Sequence, residues 1–116
     1  MKDNVVKDKS LEFAVRIVNL YKFLVNEQKE FVMSKQILRS GTSIGANIRE
    51  AEQAQSRADF INKLNIALKE ANETEYRLEL LIRTEYITRE QYESINNDST
   101  EINKLLISII KTTKNN

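Results

Sequence analysis

The sequence contains no cysteine, histidine, proline or tryptophan, and only two of its 116 residues are glycine. Without cysteine the chain has no disulfides and no thiolate chemistry, and without histidine it lacks the usual general base and the commonest metal ligand. The scarcity of proline and glycine leaves little turn chemistry, which disfavours a sheet protein with many tight hairpins. These absences indicate an all-helical chain with few routes to catalysis.

The composition that remains is typical of one globular domain. A chain of 116 residues, 41% hydrophobic and 30% charged, is long enough for a single core over residues 1–116. The longest apolar run, Leu105 to Ile110, is too short to cross a bilayer, and the amino-terminal segment has no apolar signal core. We therefore expect a cytoplasmic protein with no membrane partner.

Helical periodicity and capping residues divide the chain into four segments. The expected helices cover residues of about 10–28, 34–55, 56–86 and 88–112, with a frayed polar tail after them. Their expected caps are Ser10, Ser34, a box from Ser56 to Asp59 and a box from Thr88 to Gln91. Short connections make successive helices antiparallel, so the sequence predicts an all-α, up-down four-helix bundle.

Both glycines, Gly41 and Gly45, lie within the second predicted helix. A phosphate-binding loop would need a helix that begins just after the glycines, usually behind a strand, whereas here the helical period runs through both of them. Each mid-helix glycine costs about 1 kcal/mol relative to alanine, a loss that close helix packing offsets. The favoured interpretation is a packing groove, and the candidate packing and register residues are Gly41, Ser43, Ile44, Gly45, Asn47, Ile48 and Glu75.

Two of these candidates are polar: Asn47 lies beside the isoleucine stripe of the second helix, and Glu75 falls between Ala71 and Leu78 on the predicted buried seam of the third. One interpretation is that each bonds locally or extends to solvent. The other is a polar layer that fixes the register of the helices. The sequence leaves both interpretations open.

The first helix is apolar over about half its circumference, which is wider than one packing face needs. Two residues of the third helix also lie roughly opposite its core stripe. This excess predicts a second packing surface, and the candidate oligomer-interface residues are Leu11, Val18, Val25, Ile66 and Leu80.

Charge is unevenly distributed, although the net charge is only +1. Residues 34–49 carry three basic and no acidic side chains, residues 50–101 carry 6 basic and 12 acidic ones, and residues 102–116 carry three lysines. The basic side chains are either a solvated face or a phosphate-binding surface, and Arg39 has the further option of pairing with an acid on helix three. The candidate nucleic-acid-binding residues are Lys35, Arg39, Arg49, Lys104 and Lys111, with Lys114 nearby.

The segment from Gln36 to Leu81 resembles the four-helix-bundle family encoded in intervening sequences of bacterial 23S rRNA genes, the S23 ribosomal protein-like family. The family pattern R-A-x-x-S-I-x-x-N-I-A-E-G is matched at Arg39, Ser43, Ile44, Asn47, Ile48 and Glu50, and S-x-x-x-F-I-x-x-L-x-I-A-L at Ser56, Phe60, Ile61, Leu64, Ile66, Ala67 and Leu68. Glu73 and Glu75 match a third, E-x-E segment, whereas Ser40, Arg49 and Ala51 depart from the pattern.

The resemblance implies an antiparallel four-helix bundle that assembles into rings, with pentamers favoured. A related branch, the accessory protein of diversity-generating retroelements, is a basic pentamer that binds nucleic acid. Together with the lack of catalytic side chains, this favours a non-enzymatic, self-assembling scaffold or interaction module, and RNA binding through the second helix is the alternative. The expected partners are further copies of the chain and RNA or an RNA-associated protein, with no cofactor, metal or small-molecule substrate.

Overall fold

A computed structural model of the protein describes residues 2–115, which form four α-helices and no strand. These are α1 (Lys2–Asn26), α2 (Met33–Ala51), α3 (Arg57–Arg83) and α4 (Arg89–Asn115). The four helices form an elongated body of 47 × 21 × 19 Å. Across residues 2–115, no helix is both long enough and apolar enough to cross a membrane. The all-helical prediction is confirmed.

The four helices share one apolar core. α1 packs against α2 and α4, and α3 packs against the same two helices, so α1 and α3 lie diagonally, as do α2 and α4. Each helix contributes a stripe at spacings of three and four residues, the spacing that keeps side chains on one face. Each fully buried leucine, isoleucine or phenylalanine stabilises the fold by about 1.5–3 kcal/mol. The largest of them are Phe13, Ile17, Leu24, Ile37, Ile44, Leu64, Leu78, Leu81, Ile102 and Leu106.

The first helix begins at Lys2, so the predicted start at Ser10 was wrong. Val6 is buried and continues the stripe of Phe13 toward the amino terminus, which extends the packed helix by about two turns. Ser10 is buried inside the helix, where its Oγ donates a 2.8 Å hydrogen bond to the carbonyl of Lys7. A serine followed by an apolar stripe resembles a cap, but the buried valine before it overrides that signal.

The cap of α2 also differs from the prediction. The helix begins at Met33, and Ser34 lies inside it, buried, with an Oγ that has no partner among the described residues. Glu30 takes the capping role, because its carboxylate accepts hydrogen bonds from the backbone N–H of Ser34 at 2.7 Å and of Val32 at 3.3 Å. The chain reaches this position through Lys29, which adopts the left-handed conformation with φ 53°. A carboxylate that folds back from the preceding loop is outside the serine-based capping pattern.

The two capping boxes occur where the sequence predicts them. The N–H of Asp59 donates to Ser56 Oγ at 3.1 Å, and Asp59 Oδ2 accepts from the N–H of Gln55. In the second box the backbone N–H of Gln91 donates to Thr88 Oγ1 at 3.1 Å, and the N–H of Thr88 donates to Gln91 Oε1 at 2.8 Å. The starts of α3 and α4 are therefore confirmed, each cap satisfying N–H groups that a helix end leaves unpaired.

The ends of α2, α3 and α4 differ from the predicted ends by three or four residues. α2 ends at Ala51, four residues early, where three successive i→i−3 hydrogen bonds tighten the chain into a turn without glycine. α3 ends at Arg83 in a Schellman motif whose left-handed position is Glu85, φ 65°. α4 continues to Asn115, so the polar tail expected to fray is helical as far as that residue. The end of α3 was not predicted because Glu85 occupies the left-handed position at which a glycine usually marks a helix end.

Candidate interaction surfaces

The seam between α1 and α2 contains both glycines, which face side chains of α1. A Cβ added to Gly41 would lie 2.7 and 2.8 Å from Cγ1 and Cγ2 of Ile17, so the buried isoleucine occupies the space above the glycine. A Cβ on Gly45 would lie 3.3 Å from the hydroxyl of Ser10. Gly41 therefore admits a branched side chain that any other residue at this position would displace.

The seam between α2 and α3 contains a buried hydroxyl pair. Ser40 and Thr74 are both fully buried, and Thr74 Oγ1 lies 3.0 Å from Ser40 Oγ and 2.8 Å from the carbonyl of Glu70. Neither residue is among the candidates predicted from the sequence, although Thr74 lies between Ala71 and Leu78 in the core stripe of α3.

Arg39 pairs with α3, one of the options left open by the sequence. Its guanidinium donates to Glu70 Oε2 at 3.0 Å and also to Glu73. Glu73 in turn accepts from Arg77, whose Nη1 donates to Gln36 at 2.8 Å. The positive charge of Arg39 is thus compensated by two carboxylates within the protomer.

Asn47 and Glu75 differ in their surroundings. Asn47 bonds locally, with its amide donating to the carbonyl of Ser43 at 2.8 Å. Glu75 instead joins two helices, since its Oε1 accepts from Asn103 Nδ2 at 2.5 Å and from Ser99 Oγ at 3.3 Å on α4. The Oδ1 atom of Asn103 is buried and has no partner within the described residues. A cross-helix polar cluster therefore exists around Glu75, whereas Asn47 takes no part in it.

Ion pairs link the helices at their edges. Arg16 pairs with Asp98 at 2.6 Å, and Lys9 with Glu101 at 2.8 Å, both between α1 and α4. The hydrogen bond to Glu101 and the negative charge of that carboxylate both raise the pKa of Lys9 above its ordinary value. On the α2–α3 side, Lys63 lies 3.0 Å from Glu50, which raises the pKa of Lys63 in the same way.

The remaining basic candidates are exposed and unpaired within residues 2–115, and they fall into two groups. Lys35 and Arg49 are on α2, whereas Lys104 and Lys111 are on α4. Because α2 and α4 lie diagonally across the core without contact, the fold does not bring the two groups together in one protomer. Within residues 2–115, no three acidic side chains are grouped closely enough to hold a metal ion.

The candidate oligomer residues also fall on separate helices. On α1, Leu11 is 50% exposed, Val18 and Val25 are partly exposed, and Val15, which the sequence analysis missed, is 54% exposed. On α3, Ile66 is 37% exposed and Leu80 is partly exposed. The α1 stripe lies about 140° around the helix from the core residues, so it belongs to a second apolar face.

Residues 2–115 thus form an all-helical protein with closely packed helix–helix seams and with exposed apolar and basic faces on its surface. Residues 2–108 match the family described as 23S rRNA-intervening sequence protein, and the chain belongs to that family. It is 99% identical to a Bacteroides thetaiotaomicron VPI-5482 protein of known crystal structure, described as a protein with unknown function from the S23 ribosomal protein family. That match covers 96% of this chain and 99% of the other, with a TM-score of 0.95. No curated protein matches the sequence.

Proposed function

We propose that the protein is a non-enzymatic, self-assembling scaffold, built as an antiparallel up-down bundle that forms a ring. The observation that carries this proposal is the second apolar face of α1, which the protomer core does not use. Charged and polar residues usually cover the outer face of a bundle helix, so the run of Leu11, Val15 and Val18 at spacings of four and three marks a contact surface. Neither the family description nor that of the similar structure names an enzymatic activity.

The order of contacts along the helices supports the antiparallel arrangement. At three of the seams between helices, the residue numbers of the contacting pairs rise along one helix and fall along its neighbour, as they do when two helices run in opposite directions. Lys7 of α1 meets Glu52, just after the end of α2, and Ser10 and Ile17 meet Gly45 and Gly41 of α2. Gln36, Ser40 and Glu50 of α2 meet Arg77, Thr74 and Lys63 of α3. Lys9 and Arg16 of α1 meet Glu101 and Asp98 of α4.

The placement of the two apolar surfaces favours a ring over a simple dimer. The stripe on α1 and the exposed Ile66 of α3 lie on helices that do not touch each other, so one protomer carries two separate candidate surfaces. If the α1 surface of one copy packs on the α3 surface of the next, the interface is heterologous, and such interfaces close into rings when the rotation permits. The family resemblance favours five copies.

Mixing two variants tests this arrangement. Leu11→Glu removes the α1 surface, and Ile66→Glu removes the α3 surface, while both residues are exposed enough to change without loss of the core. Each variant alone should be monomeric, and an equal mixture should form a dimer, because one intact α1 surface meets one intact α3 surface. Gln53→Glu, at an exposed polar position in the turn after α2, is the matched control and should assemble like the wild type.

Two outcomes would contradict the heterologous interface. An Ile66→Glu variant that still forms dimers would indicate α1 packing on α1 instead. Wild-type assembly in the Leu11→Glu variant would remove α1 from the interface. Circular dichroism of each variant shows whether the helices persist, which separates lost assembly from lost folding.

RNA binding through α2 is a second candidate function, favoured by Lys35 and Arg49, which are exposed with no acidic partner in the described residues. A ring would repeat this pair in every copy, and phosphate contacts add together. Arg39 contributes less than the sequence suggests, because Glu70 and Glu73 neutralise it. The family description refers to a 23S rRNA intervening sequence, which makes RNA the natural probe.

The test is RNA binding by the purified protein at increasing salt, beside a Lys35→Glu/Arg49→Glu variant. Binding that falls steeply with salt and is lost in the variant would support this function. Absence of binding at low salt, where screening is weakest, would exclude it. Arg39→Gln is the control, and it should change RNA binding little because its charge is already paired.

A further inference from the structure

A groove between α3 and α4 combines apolar and basic side chains. Its volume is about 330 Å³, and Leu68 of α3 and Ile110 of α4 contribute apolar surface to it. Lys111 and Lys114 also line it, and none of the described residues around it is acidic. The groove is therefore apolar inside and positively charged at one edge.

The exposed face of α4 extends this pattern beyond the groove. Lys104, Ile107, Lys111 and Lys114 follow each other at spacings of three, four and three residues, which places them on one side of the helix. Ile107 is 53% exposed, a large apolar side chain in the middle of three lysines.

The lysines of this face differ from three other lysines on the surface, which are paired. Lys7, Lys9 and Lys63 each pair with a glutamate of a neighbouring helix or turn. In contrast, the three lysines of the α4 face form no ion pair within residues 2–115. Three like charges held close together without a counter-charge favour the approach of an anionic partner.

An apolar strip beside cations complements one kind of ligand. An amphipathic helix places apolar side chains on one face and carboxylates beside them, so it covers Ile107 and meets the lysines at the same time. RNA fits less well, because none of the described residues that line the groove is aromatic and could stack against a base. We propose that the α3–α4 groove binds an acidic amphipathic helix of another protein.

This binding surface is independent of the proposed assembly surfaces. Leu68 lies about 160° around α3 from Ile66, so the groove and the α3 assembly surface are on opposite sides of that helix. The α1 stripe is on a helix that does not contribute to the groove. A protomer can therefore bind the acidic helix whether or not it forms a ring.

The test measures fluorescence anisotropy of a labelled peptide of about 14 residues, four helical turns, with leucine on one face and glutamate beside it. One control peptide has glutamine in place of every glutamate, another has serine in place of every leucine, and a labelled RNA oligonucleotide of similar length tests the nucleic-acid alternative. The full-length wild-type chain is compared with Lys111→Glu and Ile107→Ser. Lys29→Glu and Phe31→Ser are the matched controls, because they change an exposed lysine and an apolar side chain as exposed as Ile107 in the connection between α1 and α2, outside the groove and the proposed surfaces.

Of the three peptides, only the one with both leucine and glutamate should bind. Lys111→Glu should weaken its binding about tenfold and Ile107→Ser severalfold, whereas the two control variants should change it little. No binding at low salt, or equal weakening in the controls, would overturn it. RNA binding that is lost in Lys111→Glu, without any peptide binding, would assign the face to nucleic acid instead. The molecular mass is measured in parallel, and loss of assembly in Lys111→Glu would assign the face to another copy of this chain.

Discussion

Replacing Gly41 with alanine tests how closely α1 and α2 are held. The new Cβ would lie 2.7 Å from Cγ1 and 2.8 Å from Cγ2 of Ile17, about 1 Å closer than carbon atoms normally approach. Both clashing atoms are bonded to the Cβ of a β-branched residue, which has one strongly preferred rotamer in a helix. Because Ile17 is fully buried, the overlap can be relieved only by moving the helices apart.

Two opposing contributions set the size of the effect. Overpacking of a core costs about 1–3 kcal/mol, and the two close contacts place this site toward the upper end of that range. Alanine gains about 1 kcal/mol over glycine in helix propensity. The expected net loss in the free energy of unfolding is therefore about 2 kcal/mol, and chemical denaturation of both proteins at one protein concentration measures it.

Gly45→Ala is the matched control, since it makes the same chemical change one helical turn away. Its Cβ would meet the Ser10 hydroxyl at 3.3 Å, a contact that a small shift relieves, so the variant should be as stable as the wild type or more stable by up to about 1 kcal/mol. In a double-mutant cycle, Ile17→Ala should cost less in the Gly41→Ala background than in the wild type. A Gly41→Ala protein as stable as the wild type would refute the close-packing argument.

Three further predictions concern single carboxylates and one lysine. Glu30→Ala removes the cap of α2 and should lower the free energy of unfolding by about 1 kcal/mol, whereas Glu27→Ala, on an exposed turn residue, should change it little in the same denaturation assay. Glu75→Ala leaves the Asn103 amide without its acceptor and should cost about 1–3 kcal/mol, and an unchanged unfolding midpoint would contradict this cluster's role. The raised pKa of Lys63 means that its pairing stabilises the fold below the unfolded-state pKa and is lost as pH rises through the folded-state pKa. The stability difference between wild type and Lys63→Gln should therefore vanish at strongly alkaline pH.

The fold class and the starts of α3 and α4 could be predicted from sequence because they depend on local signals. The apolar period of three and four residues and the boxes at Ser56 and Thr88 act over one or two helical turns. The start of α1 and the cap of α2 could not, because a buried Val6 and a carboxylate reaching back from Glu30 become visible only once the tertiary contacts exist.

The candidate surfaces also depend partly on local sequence and partly on tertiary contacts. Which residues are basic or apolar on a given helix follows from spacing alone, so Leu11 and Lys35 could be selected from the sequence. Whether a charge is available depends on its neighbours in space, which is why Arg39 is compensated by Glu70 and Glu73. Whether residues on two helices form one surface depends on which helices are neighbours in the bundle. Because α2 and α4 lie diagonally, their basic side chains form two separate groups.

The central claim is that the second apolar face of α1 serves self-assembly, and the most direct measurement is the solution mass of the wild-type chain by sedimentation equilibrium over a range of protein concentrations. The account predicts a discrete multiple of the 13.5 kDa protomer mass, held as the protein is diluted and lost in the Leu11→Glu variant. A wild-type mass of 13.5 kDa at every concentration would contradict it.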